Sequence, residues 1–192
     1  MKKLTLLLGL SALLFTACTP ISTSPPDEPE WTQTTVRGTL ELFGDAWNDA
    51  DLPAYQKLLS TDSFIFYFSQ GDVGQGYPAY WELPTELAAA DNLYEDAQAE
   101  QISLRLSLTE VEEPAGGVTT VQVNHVPYDL YVTLTDYYDG EEDLTFHAQS
   151  SCDFELSLTE GKWYVTIWRD YSPTGCGIEE ITWGATKAFF EE

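Results

Sequence analysis

The segment LTFHAQSSCDFELSLTEGKWYVTIWRD, residues 144–170, decides the fold. Leu144, Phe146, Ala148, Ser150, Cys152, Phe154, Leu156 and Leu158 recur at every second position, so one face of an extended chain stays apolar or small along its whole length. The TEGK stretch at 159–162 then turns the chain back, and Trp163, Val165 and Ile167 continue the apolar face. A regular hairpin would set Leu158 opposite Trp163 and Cys152 opposite Arg169. Two long antiparallel strands are therefore the frame on which the rest must be arranged.

The same period of two extends upstream. Ile102, Leu104, Leu106 and Leu108 alternate with polar residues, and EEPAGG at 112–117 is a turn. A long strand then runs from Val118 toward Asp136. Val121, Val123 and His125 share one face before Pro127, whereas Tyr128, Leu130, Val132 and Leu134 carry the apolar face after it. That change of parity predicts a bulge at Val126 and Pro127, which bends the strand. Nearer the N-terminus the period is helical: Val36, Leu40, Phe43 and Trp47 form one apolar stripe, and Asp51 with Pro53 starts a second short helix. SFIFYF at 63–68 reads as a strand, the Gly-rich QGDVGQGYP at 70–78 as a loop, and AYWELPTELAAADNLY at 79–94 as one helix or a helix broken near Pro84. A short helix with Ile181, Ala185 and Phe189 ends the chain.

Helices followed by a strongly bent antiparallel sheet is an α+β order. LFGDAWNDADLPAYQKLLSTDSFIF at 42–66 resembles the opening of the nuclear-transport-factor-2-like superfamily, SnoaL-like polyketide cyclases included, and LTEGKWYVTIWRD at 158–170 resembles its closing hairpin. The resemblance implies a cone-shaped sheet curled around the helices, an interior pocket, and dimers joined through the outer sheet face. It also implies an Asp inside the pocket of catalytic members, often with His or Tyr. Isomerases, dehydratases, cyclases and non-catalytic proteins all share this architecture, so function has to be argued from the site.

Two residues are candidates for that site. His125 shares the apolar parity of Val123, so it either points into the cone as a general base or is a satisfied, partly buried histidine. Arg169 follows Val165 and Ile167, and arginine is seldom buried unless paired. It is either a guanidinium at the pocket rim that holds a carboxylate, or a member of an internal ion pair or strand end. Tyr164, Thr166 and Trp168 fall on the opposite, outer face, where they form a homodimer seam or a ligand platform or are covered by a loop. His147 has polar-face parity. No nucleophile elbow, phosphate loop, HExxH pair or calcium-loop spacing occurs, and no cofactor or metal is expected.

The N-terminus sets the location. Lys2 and Lys3, an apolar run from Leu4 to Phe15 and the small residues Thr16 and Ala17 make a signal peptide over 1–17, too short to span a bilayer as a helix. FTAC at 15–18 resembles the lipobox of bacterial lipoproteins, which implies lipidation of Cys18 and anchorage of the mature protein. In a Gram-negative cell, Thr19 in place of Asp favours the periplasmic face of the outer membrane. TPISTSPPDEPE at 19–30 is a Pro/Ser/Thr-rich tether, disordered by composition. The folded domain covers 31–192.

The chain has 8 basic and 32 acidic side chains, and loss of Lys2 and Lys3 brings the mature net charge to −26. Such a surface repels phosphate backbones, which excludes nucleic acid as a partner, and otherwise reads as a solubility device. With Cys18 lipidated, Cys152 and Cys176 remain as an even pair in an exported protein, bonded in an oxidising compartment and reduced in an anaerobic one. The expectation is a membrane-anchored envelope lipoprotein carrying a non-catalytic module for a small apolar or amphipathic molecule or a protein. The alternative is a SnoaL-like isomerase, dehydratase or cyclase that uses His125 on a small hydrophobic substrate. Substituting Cys18→Ser is expected to abolish incorporation of labelled fatty acid and leave an uncleaved precursor on a gel; normal processing and labelling would refute the anchor.

Overall fold

In the computed structural model, residues 31–97, 101–138, 142–173 and 181–191 are described. The stretches expected to be a signal peptide and a tether, together with Cys18 and Cys176, lie outside them. Among the described residues, five helices and six strands follow one another: α1 (Val36–Asn48), α2 (Leu52–Leu58), β1 (Ile65–Tyr67), α3 (Gln70–Gln75), β2 (Tyr80–Glu82), α4 (Leu83–Ala97), β3 (Ile102–Leu106), β4 (Thr120–Tyr138), β5 (Glu142–Thr159), β6 (Lys162–Asp170) and α5 (Trp183–Ala188). The strands form a single curled sheet in the order β2-β1-β6-β5-β4-β3; neighbours are antiparallel except β1 and β6.

The helical reading of 36–47 holds. Val36, Leu40, Phe43 and Trp47 are all fully buried on one side of α1. The Thr35 side chain accepts from Gly38 N to cap the helix, and Glu113 receives the Val36 and Arg37 amides at 3.0 Å, where its charge also complements the helix dipole. Asn48 pins the other end to β3 by accepting from Leu104 N at 2.6 Å and donating to Leu104 O at 3.1 Å. The Gly-rich stretch read as a loop is instead the short helix α3. Its cause is a capping box in which Ser69 and Asp72 exchange side-chain-to-backbone bonds.

Besides a register shift between Leu134 and Tyr138, a bulge on β4 near His125 and one on β6 change which residues face the core. On β4 the register to β5 shifts between Val123 and Val126, so Asn124 and His125 together face Asp153 and one residue is extra, upstream of the position expected. His125 takes a φ of 54°, which swings it out of the strand's parity. On β6, Val165 pairs with Leu156 and Ile167 with Glu155, leaving Thr166 as the extra residue. Its hydroxyl donates to Glu155 O at 3.1 Å. Past Thr166 the alternation inverts: Trp168 and Asp170 turn inward, Ile167 and Arg169 outward, and Cys152 lies opposite Asp170 rather than Arg169.

At the tip of the β5–β6 hairpin Glu160 and Gly161 both have positive φ, 53° and 79°, between the paired Thr159 and Lys162. This two-residue turn matches the right-handed twist of its strands and favours Asn-Gly. Glu160→Asn is expected to stabilise the domain by about 0.5–1 kcal/mol and Gly161→Ala to destabilise it by about 1 kcal/mol, read as opposite shifts in denaturant midpoint.

Candidate functional site

Inside the curl lies a cluster of rings. Phe43 on α1 makes edge-to-face contacts with Tyr55, Phe154, Trp168 and Trp183. Trp47 contacts Tyr94 and Trp183 in the same way, and Trp168 meets Trp183 at 4.3 Å. Such pairs add to plain burial because ring edges are positive and faces negative. α5 is part of this filling. Thr182 caps it and Gly184 allows close approach, since a Cβ there would lie 2.9 Å from the Phe68 ring.

Glu86, Lys187 and Asp170 are buried beside these rings. Glu86, from the apolar stripe of α4, and Lys187, from α5, form an ion pair at 2.6 Å with both side chains fully buried. Glu86 also accepts from the Tyr55 hydroxyl at 2.6 Å and from Trp81 Nε1 at 2.7 Å. Lys187 Nζ lies 3.4 Å from the Phe66 ring centroid, 3.7 Å from that of Trp168 and 5.2 Å from that of Trp81. Burial pulls the ammonium down to about 8, against the opposing pull of Glu86.

Asp170 is the third. Its carboxylate accepts from Tyr128 Oη at 2.9 Å, Gly184 N at 2.7 Å and Tyr171 N at 3.0 Å. Desolvation nevertheless pushes it up to about 7, because three donors offset only part of the hydration lost. Burial, reinforced by Asp170, raises the Tyr128 phenol.

The residues expected to form the site are elsewhere. The His125 side chain is 79% exposed and its Nδ1 is 4.0 Å from Asp153, beyond hydrogen-bond reach. Its ring stacks on Tyr171, and its backbone N–H donates to Asp153 Oδ1 at 2.6 Å. The reading of His125 as a base inside the cone is therefore corrected: the bulge that bends β4 also expels it. Arg169 is corrected likewise. It is on the outer face, with its guanidinium 5.3 Å from the Tyr67 ring centroid. The outer set Tyr164, Thr166 and Trp168 is not one surface, for Trp168 is fully buried and Thr166 buried at the bulge. His147 is on the polar face as expected, 2.8 Å from Asp129. Cys152 is buried with its thiol against Val126 O at 3.7 Å; its proposed partner, Cys176, lies outside the described residues.

Sequence reasoning missed Glu86, Lys187 and Asp170. A signal was present for two of them: Glu86 shares a helical stripe with Ala89, Ala90, Leu93 and Ala97, and Lys187 shares one with Trp183 and Phe190. Opposite charges on two apolar stripes point to a buried pair.

No family model and no curated protein matches this sequence. Solved structures do. A proposed dehydratase of the NTF2-like family from Streptomyces avermitilis superposes with a TM-score of 0.50 at 13% identity, over 71% of this chain and 93% of that one. This domain has the nuclear-transport-factor-2-like fold. A proposed aromatic ring hydroxylase from Novosphingobium aromaticivorans matches equally, with a TM-score of 0.50, 13% identity and coverage of 73% and 88%. A ketosteroid isomerase-like protein from Erwinia carotovora gives 0.47 and 17%, over 72% and 95%. At these identities the NTF2-like domain shares a fold with its neighbours, and the activities in their names remain theirs.

The raised Asp170 gives a pH test. Its contribution to stability is fully present below the unfolded carboxylate value near 4 and is lost as pH rises through about 7. Relative to Asp170→Asn, the native protein is expected to be more stable at pH 5 than at pH 8 by about 2–3 kcal/mol, measured by denaturant unfolding at both pH values.

Proposed function

We propose that this protein is a lipid-anchored binding module of the bacterial cell envelope and performs no chemistry in its cone. The anchor rests on the signal peptide and the FTAC sequence ahead of the tether. The observation that supports a non-catalytic domain is the way its interior acids are used. Glu86 holds Lys187, Tyr55 and Trp81, and Asp170 holds Tyr128 and two backbone amides. A general base needs a lone pair aimed at a substrate proton, and these lone pairs are aimed at the protein's own donors. α5 occupies the volume in which a substrate would lie against them.

One observation favours the isomerase, dehydratase or cyclase reading: an Asp near neutrality beside a Tyr is an acid–base couple, and Asp170 with Tyr128 has that composition. The two readings differ in turnover. Native protein and Asp170→Asn are compared on a β,γ-unsaturated ketone and on a β-hydroxy ketone, which report isomerisation and dehydration. Equal background rates are expected. A native rate exceeding the variant by about 100-fold, the usual contribution of a general base, would overturn the proposal.

A further inference from the structure

The surroundings of Lys187 Nζ are those of a receptor for an organic cation. Three aromatic faces, Phe66 from β1, Trp81 from β2 and Trp168 from β6, surround the ammonium, and the Glu86 carboxylate from α4 closes the enclosure. Aromatic rings attract a cation through their negative faces, more strongly when water is excluded, and a carboxylate supplies the full countercharge. All four walls come from elements other than the one that supplies the cation. β1, β2 and β6 are joined edge to edge in the sheet, and Glu86 is fixed by Tyr55 and Trp81 independently of Lys187. The enclosure is thus built by the frame, and α5 inserts a guest.

The guest is held by a short helix. α5 has six residues, and its backbone attachments to the frame run through Gly184 N to Asp170 and Trp183 N to Tyr128. Six residues are far below the length at which a helix persists by itself, so α5 keeps its shape only while docked.

We propose that the Phe66–Trp81–Trp168–Glu86 enclosure is a binding site for primary ammonium groups carried on an apolar body, and that Lys187 occupies it in cis as a built-in competitor. This deepens the binding-module reading and rests on it. Glu86 selects among cations. It accepts an N–H at 2.6 Å, which a primary ammonium donates and a quaternary one lacks. The apolar body matches the ring-lined interior that α5 vacates, and the strongly acidic chain raises the local concentration of cations before they enter.

The test removes the guest and supplies it from solution. Lys187→Ala in the full chain is expected to melt well below the native protein and to recover about 3–6 °C of Tm at n-butylammonium concentrations ten times Kd. Tetramethylammonium should recover less, 1-butanol nothing, and the Glu86→Gln/Lys187→Ala double variant should respond to none of them. A recovery equal for the amine and the alcohol, or absent for both, overturns the site. Should Lys187→Ala fail to fold alone, refolding that requires butylammonium supports the site, and failure to refold with it overturns the site. In the native chain, butylammonium is expected to speed amide exchange at residues 183–188. Unchanged exchange while Lys187→Ala binds the amine overturns the competition. Turnover of the two ketones is read separately, so failure of the binding-module reading is distinguishable from failure of the ammonium site.

Discussion

An ammonium and a carboxylate that both leave water must recover their solvation from what surrounds them. In this protein Glu86 and Lys187 do so with each other, with two neutral donors on the carboxylate and with aromatic faces around the ammonium. Removing either member of such a pair strands a buried charge, so the pair acts as a constraint even where its net contribution is small. That constraint joins α2, β1, β2, α4 and β6 to α5 at the C-terminal end. It fixes where α5 docks, and α5 determines whether the cone is a pocket or a core.

Asp170 extends the same centre by a second route. The bulge at Thr166 turns it inward, where it receives the Gly184 amide and, through Tyr128, the Trp183 amide at the start of α5. Asp72 adds a third tie by accepting from Thr182, the cap of that helix, at 2.8 Å. Each of these acids is spent on holding α5 in place. Three interior carboxylates, Glu86, Asp170 and Asp72, thus bind the C-terminal segment, while Asp153 holds the His125 amide and the Tyr171 hydroxyl.

The outer face is correspondingly plain. Arg169 and His125, which alternation placed inside, are on the solvent side of the sheet beside Tyr67 and Tyr171. Both errors have one cause. A strand's faces follow from strict alternation only while the ladder is regular, and each bulge adds a residue that exchanges the faces for everything beyond it. An arginine on an apparently apolar parity was itself the sign: Trp168, one residue away, is the side chain whose burial is favourable.

The α+β order, the stripe of α1, the long β4–β5–β6 frame and the resemblance to NTF2-like domains are all legible in the amino-acid sequence. Those depend on local periodicity and on turns such as Glu160–Gly161, whose geometry is set within a few residues. The sequence also carries the lipobox-like FTAC and the charge of the chain. Where the bulges fall depends on the folded sheet, because a bulge answers to the partner strand as much as to its own residues. The tertiary structure alone brought Glu86 and Lys187 together, 101 positions apart. Each is an ordinary helix residue in its own segment, and the cost of burying its charge is met by the other together with Tyr55, Trp81, Phe66 and Trp168, a set that no local pattern contains.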